Sequence, residues 1–112
     1  MIEKTILDYL SSEMNPIPVY MERPINPPEK YILIEKTGSG LLNTLFSATV
    51  AIQSHARTLY ETATINDEVI EAMIGMNVKG VTSIKLNSDY NFTDTSTKTY
   101  RYQAVFDLYY KE

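Results

Sequence analysis

The chain has 112 residues, the size of one domain with one modest hydrophobic core, and 44% of them are hydrophobic and 21% charged. Its net charge is only −4 and both signs are spread evenly, so a surface dedicated to nucleic acid is not expected. The absence of cysteine excludes disulfides and thiolate chemistry, and no apolar run approaches ~20 residues, so we expect a soluble protein without a membrane span or signal peptide.

The first half of the chain predicts one helix and three strands. Residues 2–14 carry apolar side chains at steps of four, the stripe of an amphipathic helix (α1), which the prolines of "NPIP" end. The segment "VYMER", residues 19–23, predicts a short edge strand (β1). In "KYILIEKTG", residues 30–38, four consecutive apolar residues predict a central, doubly covered strand (β2), and alternation over residues 46–56 predicts a third strand (β3).

The segment between the second and third strands predicts a loop. "TGSG", residues 37–40, reads as a turn or flexible loop, and "TGSGLLNT" lacks the lysine and the spacing of a phosphate-binding P-loop. We therefore expect residues 37–44 to be a connection without catalytic chemistry.

The second helix (α2) is predicted from a capping box. Thr58 and Glu61 have the spacing of this motif, and the helix is expected to run to about Met76 and to end at Gly75 or Gly80. Its β-branched residues allow a break near Asn66. The predicted apolar stripe consists of Ala63, Asn66, Ile70 and Met73, flanked by Leu59, Val69 and Met76.

The last third of the chain predicts a long hairpin. "VTSIKLNSDYNF", residues 81–92 (β4), and "TKTYRYQAVFDLYY", residues 97–110 (β5), both alternate in hydrophobicity, and the polar segment between them predicts a turn near residues 94–97. The even-numbered residues of the last strand are expected to lie on one face, which packs beneath the helices over residues 104–110.

The predicted fold class is α+β, because consecutive strands with short connections favour antiparallel pairing. The element order is α1-β1-β2-β3-α2-β4-β5. We expect a single mostly antiparallel sheet of about five strands, with the two helices packed largely on one face.

The sequence carries no recognisable catalytic or metal-binding motif. His55 is the only histidine, and an enzyme would need it beside acidic partners in a cleft, so we expect an ordinary strand residue. The segment "NSDYNFTDTS" lacks the spacing and glycine of a calcium loop. We therefore expect neither enzymatic activity nor a cofactor or metal.

The aromatic residues of the hairpin point to self-association. Two strands of a dozen residues extend about 40 Å, whereas the two helices span only about 20 and 28 Å and cannot cover the whole ribbon. A two-stranded ribbon with exposed aromatic side chains is marginal in water. We therefore expect Tyr90, Phe92, Tyr100 and Tyr102 to lie against another copy of the chain.

Three segments together resemble the small tail-terminator or tail-completion proteins of long-tailed bacteriophages and prophages. They are "IPVYMERPINPPEKYILIEKTG", "ATVAIQSHARTLYETATINDEVIEAM" and "YRYQAVFDLYY", and the similarity runs from about Pro16 to Tyr110. The resemblance implies an α+β domain that assembles into a ring, commonly a hexamer. It implies no enzymatic activity and no cofactor.

The resemblance also implies partners and a location. Such a ring caps the tail tube, stops its growth and joins it to the head connector, so the expected partners are other copies of the chain, the tail-tube protein and the connector or stopper protein. DNA would pass through the lumen without specific binding, and the net charge of −4 per chain leads us to expect acidic residues in its lining. The expected location is the tail or neck of the virion, assembled in the host bacterial cytoplasm.

These considerations select candidate subunit contacts and leave two alternatives open. The candidates are Tyr90, Phe92, Tyr100, Arg101 and Tyr102 of the hairpin, with Ser39, Leu41 and Leu42 of the predicted loop nearby. One alternative is a head-closure or other minor head-tail protein. The other is a non-viral α+β ligand-binding or regulatory module, which would have an apolar pocket with a few convergent polar groups.

Overall fold

The computed structural model covers residues 1–112 and has the predicted α+β architecture and element order. Two helices and five strands form a molecule that measures 44 × 26 × 25 Å. The elements are α1 (Ile2–Glu13), β1 (Val19–Tyr20), β2 (Tyr31–Leu42), β3 (Leu45–His55), α2 (Leu59–Ile74), β4 (Val81–Asn91) and β5 (Arg101–Tyr110).

The five strands form one mostly antiparallel sheet in the order β1-β2-β3-β5-β4. The central strand is β3, whereas β2, which the sequence predicted to be central and covered on both faces, lies one place from the edge. The short β1 pairs with β2 in parallel, contrary to the antiparallel pairing expected of consecutive strands, because the proline-rich segment after β1 carries the chain back before β2 begins.

The register corrects the expectation of a free two-stranded ribbon. β5 pairs with β4 on one side and with β3 on the other, from Arg101 opposite His55 to Tyr110 opposite Phe46. It is therefore an interior strand over its whole length. Only residues 92–100 extend beyond β3, and they close through an isolated bridge between Asp94 and Thr99, as the predicted turn requires.

The core lies between the helices and one face of the sheet. Strand residues that are paired across the sheet, such as Ile34, Ile52 and Ala104, all belong to the same buried cluster. Phe106 and Leu108 of β5 are fully buried in it, so the predicted packing of residues 104–110 beneath the helices is confirmed.

The first helix forms as its stripe predicts. Ile2, Ile6 and Leu10 are buried, and Met14 follows them just beyond the helix end. On the solvent side, the Lys4 ammonium lies 2.9 Å from an Asp8 carboxylate oxygen, an i, i+4 pair. The stripe places α1 against β1 and β2.

The second helix begins at the predicted cap. The Thr58 side chain accepts a hydrogen bond from the Glu61 backbone N–H at 3.1 Å, and Gly75 ends the helix. The helix is continuous, so the break allowed near Asn66 does not occur, because packing against β3, β4 and β5 overrides the weak propensity. The buried stripe differs from the predicted one in part and consists of Thr62, Ile65, Asn66, Val69 and Met73.

The predicted loop "TGSG" is part of a strand. β2 continues to Leu42 and pairs with β3 as far as Leu45, with a bulge between Lys36 and Gly38. The turn is confined to Asn43 and Thr44, and Asn43 adopts a left-handed φ of 58°. The two glycines predict a turn, but in the structure they accompany a bulge, at which the pairing of β2 with β3 shifts by one residue.

Candidate functional site

Both helices lie on one side of the sheet, so its other side has no covering layer. We call this side the open face. It carries the alternate side chains of four strands, and the register aligns them across the sheet, for example Leu33, Gln53, Gln103 and Tyr90. Neither helix is long and apolar enough to cross a membrane.

One end of the open face carries an aromatic cluster formed by Tyr90, Phe92 and Arg101. The rings of Tyr90 and Phe92 meet edge to face with centroids 5.9 Å apart. The guanidinium carbon of Arg101 lies 4.4 Å from the Phe92 ring centroid, and its Nε donates to the Phe92 carbonyl at 2.6 Å. The cluster is held in place by these contacts, and yet Tyr90 and Phe92 are 41% and 40% exposed.

A ladder of hydrogen bonds connects this cluster to the middle of the sheet. The Gln103 amide donates to the Tyr90 hydroxyl at 2.5 Å, and the Gln53 amide donates to Gln103 Oε1 at 2.9 Å. The His55 Nε2–H in turn donates to Gln53 Oε1 at 3.2 Å, and the His55 ring stacks on Tyr31. The ladder crosses three strands and orders the Gln103 side chain, which contacts Tyr90 of the aromatic cluster.

The other two predicted hairpin aromatics lie elsewhere. Tyr102 pairs with Ser54 of β3 and so points to the helix side of the sheet, where it is half-buried. Tyr100 precedes β5, is also half-buried, and lines a groove at the end of the sheet beside Lys98 and Tyr31. The five predicted hairpin residues therefore share one end of the molecule but not one face.

The predicted contacts in the 38–44 segment lie at the opposite end of the sheet. Leu41 pairs with Phe46, which pairs with Tyr110, and Tyr110 is nine residues along β5 from Arg101. At 3.3 Å per residue this corresponds to about 30 Å. The expectation that Ser39, Leu41 and Leu42 lie near the hairpin aromatics is thus wrong, because that segment extends β2 away from them. Leu41 and Leu42 are exposed, by 60% and 76%.

A wide polar groove occupies the open face near this second end. Its volume is about 720 Å³, and Asp107 in its floor accepts hydrogen bonds from Thr49 Oγ1 at 3.0 Å and from the Asn87 amide at 3.0 Å. The groove is lined by Gly38, Ser39, Ser47, Ala48, Thr49, Ser83, Ile84, Lys85, Asp107, Leu108 and Tyr109. This mostly polar lining differs from the apolar pocket expected of a ligand-binding module.

The sheet has two free edges. β4 has no partner on its outer side over its eleven residues. On the other side, β1 covers only Ile32 and Leu33 of β2, which leaves residues 34–42 unpaired on that side. Free backbone donors and acceptors at an edge are a template for pairing with another chain.

His55 is a buried residue that lines a groove at the end of the sheet. It ends β3, is 5% exposed, and makes its hydrogen bond to Gln53 alone. Its pKa is lowered from 6.5 to about 4, first by burial and then by the positive charges of Arg101 and Arg23. The neutral His55 ring stacks on the Tyr31 ring on the open face. No group of three or more His, Asp or Glu side chains is close enough to hold a metal ion.

The sequence reading missed the residues that support the aromatic cluster. Two cross-strand pairs make up this support, Tyr31 with His55 and Gln53 with Gln103. The sequence does not show that these residues are neighbours, because their pairing follows from the strand order. Comparison of the sequence with models of known protein families and with curated proteins finds no match.

Proposed function

We propose that this chain is a structural virion-assembly subunit that self-associates into a ring, in the role of a tail terminator. The ring would cap the tail tube, stop its growth and join it to the head connector, with DNA passing through its lumen. In this proposal the chain works by shape and contact, without catalysis or a cofactor. The resemblance noted in the sequence is one support for this role, and the open face is the other.

The observation that carries the proposal is the exposed aromatic cluster of Tyr90, Phe92 and Arg101. Aromatic residues and arginine are enriched at the centres of protein interfaces. This cluster is already ordered by an edge-to-face contact, a cation–π contact and the glutamine ladder. A preorganised surface loses little conformational entropy when it binds, which favours its use as a contact.

The two free edges support a contact that closes into a ring. They belong to different strands, β4 and β2, on opposite sides of one sheet. A contact between two different surfaces of identical chains is heterologous, and it closes into a ring when the rotation between copies permits. Pairing of one edge with the other would add backbone hydrogen bonds to the aromatic contact.

The test is the mass of the protein in solution and on tails. The variant Tyr90→Ser/Phe92→Ser should lose the oligomer seen by light scattering while keeping its circular dichroism. Tyr60→Ser is the matched control, since Tyr60 is 83% exposed on α2 and should have no effect. A double variant that keeps the full oligomer mass would contradict the assigned surface.

The tail role has its own test, because a ring can require the tail tip to form. Tails assembled in cells that lack the protein should show uncontrolled tube lengths in electron micrographs. Tubes of normal length whose heads fail to join would instead favour the second candidate, a head-closure protein. Tubes of normal length joined to heads would contradict both roles.

A further inference from the structure

The hairpin end of the molecule carries a basic groove of about 300 Å³. Three cationic side chains line it, those of Arg23, Arg57 and Lys98, and its other walls include Tyr31, His55 and Tyr100. Arg57 lies 3.5 Å from a Glu29 carboxylate oxygen. Arg23 and Lys98 form no ion pair within the chain and are exposed, so their charges remain available to a partner.

Besides burial, the positive charges at this end of the molecule lower the pKa of the buried His55 ring beside them. Burial is the first cause that lowers the pKa of His55, and repulsion by Arg101 and by Arg23 is the second and third. Arg101 and Arg23 come from β5 and from the segment after β1, so residues far apart in the sequence contribute charge of one sign to one place.

A second groove, of about 240 Å³, lies between the two helices and is acidic. It is lined by Glu13, Met14, Glu68, Glu71 and Ala72. None of its three carboxylates forms an ion pair within the chain. Neither helix has a basic residue in its last turn, although cations are favourable at helix C-termini. Both the three carboxylates and the C-terminal ends of the two helices favour a cation in this groove, and the chain itself places none there.

The two grooves are complementary in charge but cannot meet within one chain. The acidic groove is on the outer side of the helix layer, where the Tyr9 hydroxyl ties α1 to α2 by donating to the Ala72 carbonyl at 2.7 Å. The basic groove lies at the end of the sheet, between the turn after β1 and the hairpin. A second copy of this chain carries, in its own two grooves, the charges that these grooves lack.

We infer that the basic groove of one copy, through Arg23 and Lys98, docks on the acidic groove of the next copy, through Glu13, Glu68 and Glu71. This inference rests on the proposed self-assembly and specifies two surfaces that meet. Opposite charges at such a contact set its rate and register, whereas like charges that face each other strongly disfavour association, and salt screens both effects.

The test uses two variants with reversed charges. The first, Arg23→Glu/Lys98→Glu, makes the basic groove acidic, and the second, Glu68→Lys/Glu71→Lys, makes the acidic groove basic. Each variant alone should associate at least tenfold more weakly than the unmodified protein in sedimentation or light scattering. Mixed in equal amounts, the two should recover assembly, because every contact in an alternating oligomer then joins opposite charges.

A control separates the effect of the grooves from that of net charge. Lys79→Glu/Lys111→Glu changes the net charge by the same amount as the first variant, but both lysines lie outside the two grooves. This control should assemble normally. All reversed positions are exposed, and if a reversed variant loses its circular dichroism, Arg23→Gln/Lys98→Gln replaces it with the same expected direction.

Three outcomes overturn the inference, and they differ in what they say of the ring. If the unmodified protein assembles and both reversals leave the oligomer intact, this docking is wrong while the proposed ring stands. If each reversal abolishes assembly and mixing restores nothing, the grooves contribute but do not meet each other. If the unmodified protein stays monomeric at high concentration and on tails, the proposed ring fails together with the docking.

Discussion

The rings of Tyr31 and His55 stack with their centroids 4.3 Å apart and their planes 8° from parallel. Tyr31 opens β2 and His55 closes β3, and the two residues are direct partners in the register. The stack lies on the open face, and both residues are less than 6% exposed. Besides the cross-strand contact, Tyr20 packs edge to face on Tyr31, and the segment after β1 and the hairpin form the groove around the stack. From His55 the hydrogen bonds continue through Gln53 and Gln103 to Tyr90.

The first prediction concerns pH. The pKa of His55 is lowered to about 4 in the folded protein, so between pH 6.5 and pH 4 the unfolded chain binds the additional proton. The free energy of unfolding should be fully retained above pH 6.5 and should fall by up to about 3 kcal/mol as the pH drops to 4. Denaturant unfolding at several pH values measures this. In His55→Phe, which retains an aromatic ring without a titrating group, the fall in that window should shrink.

The second prediction concerns the cap of α2. Thr58→Ala removes the acceptor for the Glu61 backbone N–H and should lower the free energy of unfolding by about 1 kcal/mol. Thr58→Ser retains the hydroxyl and should cost much less. Equal losses in the two variants, measured by thermal or denaturant unfolding, would show that the cap hydrogen bond is not the cause.

The third prediction compares two glycines. Gly80 has a φ of +94°, and an added Cβ would lie 3.0 Å from the Lys111 carbonyl oxygen, so Gly80→Ala should destabilise the protein by about 1–2 kcal/mol. An added Cβ at Gly38 meets nothing within 4 Å. Gly38→Ala should therefore be neutral or stabilising by up to about 1 kcal/mol, because alanine restricts the unfolded chain. A loss at Gly38 that matches the loss at Gly80 would contradict this reasoning.

The fourth prediction concerns the half-buried tyrosines at the hairpin end. Replacing Tyr100 and Tyr102 with Ser should weaken assembly while leaving the circular dichroism unchanged. The loss should be smaller than for Tyr90 and Phe92, since Tyr102 points to the helix side of the sheet. Light scattering of the two double variants in parallel gives the comparison. A larger loss for the Tyr100/Tyr102 pair would contradict the assignment of the main aromatic contact to Tyr90 and Phe92.

The local elements could be predicted from the sequence because their signals are local. The stripe of α1, the cap at Thr58 and the alternation of β5 each depend on residues a few positions apart, and all three are present in the structure. The strand order depends on pairing between distant residues. The residues of segment 101–110 do not indicate that the strand pairs with both β3 and β4, so the sequence alone predicts a free ribbon.

The candidate contacts divide in the same way. Tyr90, Phe92 and Arg101 were selected for their residue types and do form one exposed cluster. The glycines predict a loop that would bring Ser39, Leu41 and Leu42 near this cluster, whereas the bulged strand β2 carries these three residues to the far end of the sheet. Their supporting residues, Gln53 and Gln103, are unremarkable in sequence and become partners only through the register.

The interior position of β5 has a consequence for biosynthesis. Until residues 101–110 have left the ribosome, β3 can pair only with β2, and β4 has no partner strand, because β5 is the strand that connects the two. The apolar side of β3 then remains without Phe106 and Leu108, so chaperones would have their main opportunity in this interval. A chain that ends before Arg101 should be insoluble and rapidly degraded.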